Sequence, residues 1–187
     1  MAFFTVIIPL YNKEKYIENA IKSVLNQTFT DFNLVIVNDC STDKSVEIAS
    51  KYISDTVEII HHKKNAGLAA ARNSGIKNSN SNYITYLDAD DLWKPNFLES
   101  IFQLIQNFPE ARIFGTNYEE IWGTVIKNPL NGSEILPIDF KGYINFFKIN
   151  VKQGIYTHGS VCFHKEVFEK IGDYNEDIGF SEDLDFN

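Results

Sequence analysis

The chain has 187 residues, 44% of them apolar, enough for one domain with a sizeable core. Lys and Arg number 17 against 25 Asp and Glu, and the net charge of −8 excludes a general nucleic-acid binder, which needs a basic face against phosphates. Cys40 and Cys162 stand far apart with no metal-type spacing and read as thiols of a reduced compartment.

The start of the chain is apolar but has no basic residue, and Pro9 interrupts it, so it reads as a buried strand and not as a signal peptide. No apolar run approaches the ~18 residues of a membrane span, and the expected location is the cytoplasm. The first strand is Phe4 to Ile8. Apolar positions at Tyr16, Ile17, Ala20, Ile21, Val24 and Leu25 then mark one face of a helix, with Asn12 as its cap. Leu34 to Val37 is the second strand. Ser41 or Thr42 caps a second helix that turns Val46, Ala49, Tyr52 and Ile53 inward. Val57 to Ile60 is a third strand, Gly67 to Lys77 a helix, and Tyr83 to Leu87 a fourth strand. Pro95 opens a further helix with Phe97, Leu98, Ile101, Phe102 and Ile105 inside.

The second half is less regular. Ile113 to Tyr118 is a candidate strand, and 119–137 a loop or hairpin insertion. Phe140 to Ile149 reads as a short helix carrying Phe146 and Phe147. Ser160 to Phe163 is a strand, and Lys165 to Ile171 a helix that stops at Gly172. Strands alternating with helices predict right-handed βαβ units, hence an α/β fold with a mainly parallel sheet. Such sheets bind ligands outside the carboxyl ends of their strands. The unusual polar residues sit there: Tyr11 and Asn12 after the first strand, Asp39 after the second, Asp88 to Asp91 after the fourth.

Asp88-Ala89-Asp90-Asp91 crowds three carboxylates into four residues, a repulsion that a cation or hydrogen-bond donors must offset. An oxygen-only carboxylate set suits Mg²⁺ or Mn²⁺. The bland alternative is a capped turn, with Asp90 or Asp91 starting the next helix. His158 stands before a strand and is either structural or faces an acceptor cleft. His61 and His62 read as loop residues.

Five segments in order resemble the inverting glycosyltransferase family 2: Val6–Asn12, Val35–Asp43, Asn65–Asn73, Asp88–Asp91, and Lys165–Gly172 with Ser181-Glu182-Asp183. The resemblance implies a GT-A-type fold, a Rossmann-like sheet with a smaller mixed acceptor-side region. It implies a nucleotide-binding half over 1–108 and an acceptor-side half over 109–187. Pro9, Tyr11 and Asn12 would line the nucleotide pocket, with the Tyr11 ring against the base. Asp39 would accept the N3–H of a uracil-like base, favouring UDP or TDP sugars, and Arg72 would reach the base or diphosphate. Asp88 would touch the ribose or the metal shell, and Asp90 would ligate Mn²⁺ or Mg²⁺. Asp183 would be the base that deprotonates the acceptor hydroxyl, with Glu182 assisting, and the product would be inverted at the anomeric carbon.

The acceptor implied is a glycan or lipid-linked oligosaccharide in bacterial polysaccharide assembly. The chain ends at Asn187, soon after Asp183, where family members continue. The expectation is therefore an N-terminal part of a longer protein, incomplete on the acceptor side. Peripheral association with the inner face of the membrane would lie in further segments. Two other readings remain. One is a catalytically silent nucleotide- or sugar-binding module. The other is a sugar-1-phosphate nucleotidylyltransferase, disfavoured because Pro9-Leu10-Tyr11-Asn12-Lys13 is not a glycine-rich basic loop.

Overall fold

The computed structural model describes residues 1–122, 124–128, 140–144 and 157–177. In chain order the elements are β1 (Phe4–Leu10), α1 (Ile17–Leu25), β2 (Phe32–Asn38), α2 (Ser45–Ser50), β3 (Val57–His61), α3 (Leu68–Asn78) and β4 (Tyr83–Tyr86). There follow α4 (Phe97–Asn107), β5 (Ile113–Gly115), β6 (Glu120–Trp122), β7 (Val125–Lys127), a 3-10 turn at His158–Ser160, β8 (Val161–His164) and α5 (Glu166–Ile171).

Among the described residues the main sheet has six strands in the order β3-β2-β1-β4-β8-β5. β3, β2, β1 and β4 are parallel, and β8 runs antiparallel to both β4 and β5. The sheet is thus mainly parallel with a mixed edge. β1 is buried along its whole length, as a strand covered on both faces must be. Its alternate side chains serve opposite layers. Phe4, Val6, Ile8 and Leu10 join a cluster closed by Ile17, Ile21 and Val24 of α1 and by Leu98 and Ile101 of α4. Ile7 points the other way, with Val35 and Val37 of β2, into a cluster built on Ala69, Ala71 and Ile76 of α3. At Gly75 of α3 an added Cβ would lie 2.5 Å from Cγ2 of Ile7, so the missing side chain is what lets helix and strand approach.

The chain leaves β1 toward β2 and β3 on one side, then crosses to β4 on the other. The strand order reverses between β1 and β4, and that switch point opens a crevice at the carboxyl ends.

Several local expectations are corrected. Asn12 does not cap α1, which begins five residues later with no side-chain cap bond at Tyr16. Asn12 instead adopts φ 52° and accepts the Thr42 N–H at 2.8 Å, tying the two loops together. Neither Ser41 nor Thr42 caps α2: Oδ1 of Asp43 accepts the Ser45 N–H at 2.9 Å, while Ser41 Oγ accepts the Asn12 N–H. Ile53 lies beyond the end of α2 and is 58% exposed, and Val46 is only half-buried. α4 starts at Phe97, two residues after Pro95, and Phe102 is partly buried. The strand expected over Ile113 to Tyr118 ends at Gly115. The expected hairpin is present as the antiparallel pair β6–β7. No helix begins within 140–144, and the remainder of the helix expected to Ile149, with Phe146 and Phe147, lies outside the described residues. Gly172, at φ 92°, ends α5 as expected.

Candidate functional site

A cavity of about 410 Å³ opens at the switch point. Pro9, Tyr11 and Lys13 line it from β1 and its loop, Asp39 from the end of β2, Gly67 from just before α3, Ala71 from α3, and Asp88 and Asp90 from the turn after β4. Three strand ends far apart in sequence therefore converge on one hollow. Tyr11 is 47% exposed, leaving its ring face open to a planar group.

Asp39 is 3% exposed, and donors surround its carboxylate. Oδ1 accepts the Ala66 N–H at 2.8 Å and meets Nδ1 of His62 at 2.7 Å; Oδ2 accepts the Gly67 N–H at 2.8 Å. Gly67 reaches this geometry at φ 91°, a conformation that disfavours a side chain. Because Gly67 precedes α3, the carboxylate also sits at the positive end of that helix. Asn65 Nδ2 donates to the Asp39 carbonyl at 3.2 Å, completing the clasp.

The acidic turn after β4 is half open to solvent. Lys13 pairs with Oδ2 of Asp90. Arg72, 2% exposed, lies behind Asp88, with Nη2 3.5 Å from Oδ1 and the guanidinium within 6 Å of the Tyr86 and Tyr174 rings, at 5.8 and 5.6 Å. Asp91 is exposed as a residue, yet partial burial of its carboxyl, then the charges of Asp88 and Asp90, hold it above the usual carboxylate range. Among the described residues no three His, Cys, Asp or Glu side chains form a complete ligand cage.

Pro9, Tyr11, Asp39, Asp88 and Asp90 thus share one cavity. Asn12 and Arg72 do not line it: the first braces the loops, and the second backs Asp88. Glu182 and Asp183 lie outside the described residues. His158 is half-buried against Tyr174, whose hydroxyl is 3.2 Å from its Nε2, and desolvation, then the charge of Arg72, lowers its pKa to about 3. Two site residues escape a sequence reading. Lys13 looks like an ordinary helix-leading lysine, and His62 like a loop residue. The signal for His62 was its place just past a parallel strand, on the same sheet edge as Asp39.

A family model described as "Glycosyl transferase family 2" matches residues 5–172. The chain is 38% identical over 115 residues to glycosyltransferase GlyA of Streptococcus pneumoniae, covering 61% of this chain and 16% of that protein. It is 38% identical over 97 residues to the putative teichuronic acid biosynthesis glycosyltransferase TuaG of Bacillus subtilis, covering 51% of this chain and 38% of TuaG. S. aureus TarS 1-349 in complex with UDP-GlcNAc superposes with a TM-score of 0.77 at 22% identity, over 98% of this chain and 51% of that one. The mannosyltransferase PcManGT of Pyrobaculum calidifontis, in complex with GDP-Man and Mn²⁺, superposes with a TM-score of 0.70 at 18% identity, over 97% and 50% of the two chains. The shared fold is the GT-A type. The chain spans about half or less of each of these proteins.

Proposed function

Because this chain belongs to glycosyl transferase family 2, we propose that it transfers a sugar from a UDP-sugar to a hydroxyl of a glycan or lipid-linked acceptor, inverting the anomeric carbon. The observation that carries this reading is the single cavity that gathers Tyr11, Asp39, Asp88 and Asp90 at the sheet's switch point. Residues 1–108 form the donor half, and 109–187 belong to the acceptor side.

Each role follows from the chemistry of the group. Tyr11 stacks on the base. The remaining acceptor capacity of Asp39 takes the base N3–H, which uracil has and cytosine lacks. Pro9 shapes the pocket wall, and Asn12 holds the loop that carries Tyr11. Arg72 acts through Asp88, keeping that carboxylate oriented toward the ribose and diphosphate region.

The oxygen-only pair Asp88 and Asp90, already drawing the Lys13 ammonium, fits a hard divalent cation, which commonly binds through one or two carboxylates plus substrate phosphates. Asp90, with Asp88, would hold Mn²⁺ or Mg²⁺, whose charge stabilises the departing nucleoside diphosphate. Lys13, released from Asp90, is then placed to meet a phosphate oxygen. From the family resemblance, Asp183 takes the acceptor proton and Glu182 assists it. TuaG, by its name, supports bacterial polysaccharide assembly, and the UDP-GlcNAc bound to TarS supports a UDP-sugar donor; the location that goes with this reading is the cytoplasm, at the inner face of the membrane. Among the described residues no helix is long and apolar enough to cross a membrane.

The test is calorimetric titration of UDP with Mn²⁺ and with chelator. Binding that needs the metal and falls at least about ten-fold in Asp90→Ala is expected, since one charge-assisted contact is worth about 1.5–3 kcal/mol. Silence toward UDP, TDP and GDP alike sinks the site assignment. Metal-dependent binding without turnover in the full-length protein would leave a silent binding module.

A further inference from the structure

We propose that His62, held by Ser74, is a positioning residue for donor-base selection, filling the inner oxygen of Asp39 so that the outer oxygen offers one acceptor direction to the cavity. The inference rests on the reading of Asp39 as the base acceptor.

The two oxygens of Asp39 are loaded unequally. Oδ1 meets two donors, the Ala66 N–H at 2.8 Å and His62 Nδ1 at 2.7 Å. Oδ2 accepts the Gly67 N–H at 2.8 Å. A carboxylate oxygen has two lone pairs, so Oδ1 is filled and Oδ2 keeps one. Asp39 lines the cavity, and that remaining direction is what an incoming N–H can use.

His62 is itself held on every side. Its Nε2 is 2.8 Å from Ser74 Oγ. Its backbone N–H donates to the Asn38 carbonyl at 2.9 Å, and its carbonyl accepts from the Cys40 thiol at 3.1 Å. An ionised carboxylate only accepts, so Nδ1 carries the ring proton, and in the neutral ring Ser74 donates to Nε2. The carboxylate therefore selects the tautomer, and Ser74 holds the far edge of the ring so that Nδ1 stays aimed at Asp39. Ser74 rides on α3, the helix whose leading glycine binds the other oxygen, so one rigid element fixes the carboxylate from both sides. Without the imidazole, Oδ1 regains a lone pair and the carboxylate can turn. A carboxylate free to turn can also accept from the exocyclic amino group of cytosine, so the preference for a base that presents N3–H shrinks.

The experiment compares UDP with CDP by calorimetry in the presence of Mn²⁺, for wild type, His62→Phe, His62→Asn, Ser74→Ala and Asp39→Asn. Thermal melts monitor folding. Wild type is expected to prefer UDP. His62→Phe should shrink that preference about ten-fold, the scale on which lost partners of a binding carboxylate act. His62→Asn, whose amide nitrogen falls near the former Nδ1, should keep most of it, and Ser74→Ala should lose about three-fold. A UDP preference that disappears in Asp39→Asn but survives in His62→Phe overturns the proposal and leaves the Asp39 reading intact. If His62→Phe does not fold, Ser74→Ala decides, and an unchanged ratio overturns the proposal. A wild type without UDP preference removes the Asp39 reading and this inference with it.

Discussion

His158 is half-buried against the aromatic rings of Tyr86 and Tyr174, ring centroids 6.0 and 5.8 Å away, and Arg72 adds positive charge nearby. Desolvation chiefly, and that charge, lower its pKa from 6.5 to about 3. The unfolded chain takes up a proton here as pH falls below about 6.5, whereas the folded chain resists until about 3. The stabilisation is therefore complete above the unfolded value and is lost progressively as pH falls toward the folded one. Denaturation midpoints should drop between pH 7 and 5 by the equivalent of about 1–2 kcal/mol. His158→Asn should flatten that slope above the carboxylate range, as urea melts at each pH would read. An unchanged slope would remove His158 from the acid response. The sequence placed this histidine before a strand but left its role open, because burial by Tyr174 arises from a contact 16 residues away.

At the scale of elements, α3 is where packing and site meet. The glycine that leads into it binds Asp39, its middle supplies Arg72 to Asp88 and Ser74 to His62, and Gly75 presses against β1. Ala exceeds Gly in helix propensity by about 1 kcal/mol, which favours Gly75→Ala. Against that, the new Cβ would stand 2.5–2.9 Å from three side-chain atoms of Ile7, a fully buried residue. Overpacking of this kind costs about 1–3 kcal/mol, so destabilisation of about 1–2 kcal/mol should win in urea melts. Ile7→Val in the same chain should recover part of the loss, and purely additive effects in the double-mutant cycle would refute the clash. The helix itself was legible from its alanine-rich run. Its tight docking was not, since only the register of β1 against α3 sets Ile7 beneath Gly75.

For the molecule as a whole, a site built from loops on one sheet edge couples ligand binding to global stability. Ligand that binds only the folded chain stabilises it by about 2.7 kcal/mol at a hundred times its Kd. For a domain of this size that corresponds to a rise in Tm of about 5–10 °C. UDP with Mn²⁺ should produce this rise in a thermal scan, and chelator or Asp90→Ala should remove most of it. A shift that ignores chelator would argue against a metal-bridged diphosphate.

The sequence by itself determined the alternation of strands and helices, the parallel sheet, and the polar residues at three strand ends. Those are local properties: hydrophobic period, strand length and turn composition act over a few neighbours. Five ordered segments also made the family legible before any geometry. Only the tertiary structure decided which polar residues face the cavity and which brace it. Asn12 braces the loops and Arg72 backs Asp88, while Lys13 and His62 came forward to Asp90 and Asp39. The loop contacts were likewise decided in three dimensions, where Ser41 and Thr42 meet the Asn12 loop and Asp43 accepts the Ser45 N–H at the start of α2. A side chain's partner depends on which strand ends the sheet sets side by side, and residues 23 positions apart, such as Asp39 and His62, meet only after β2 and β3 have paired in register.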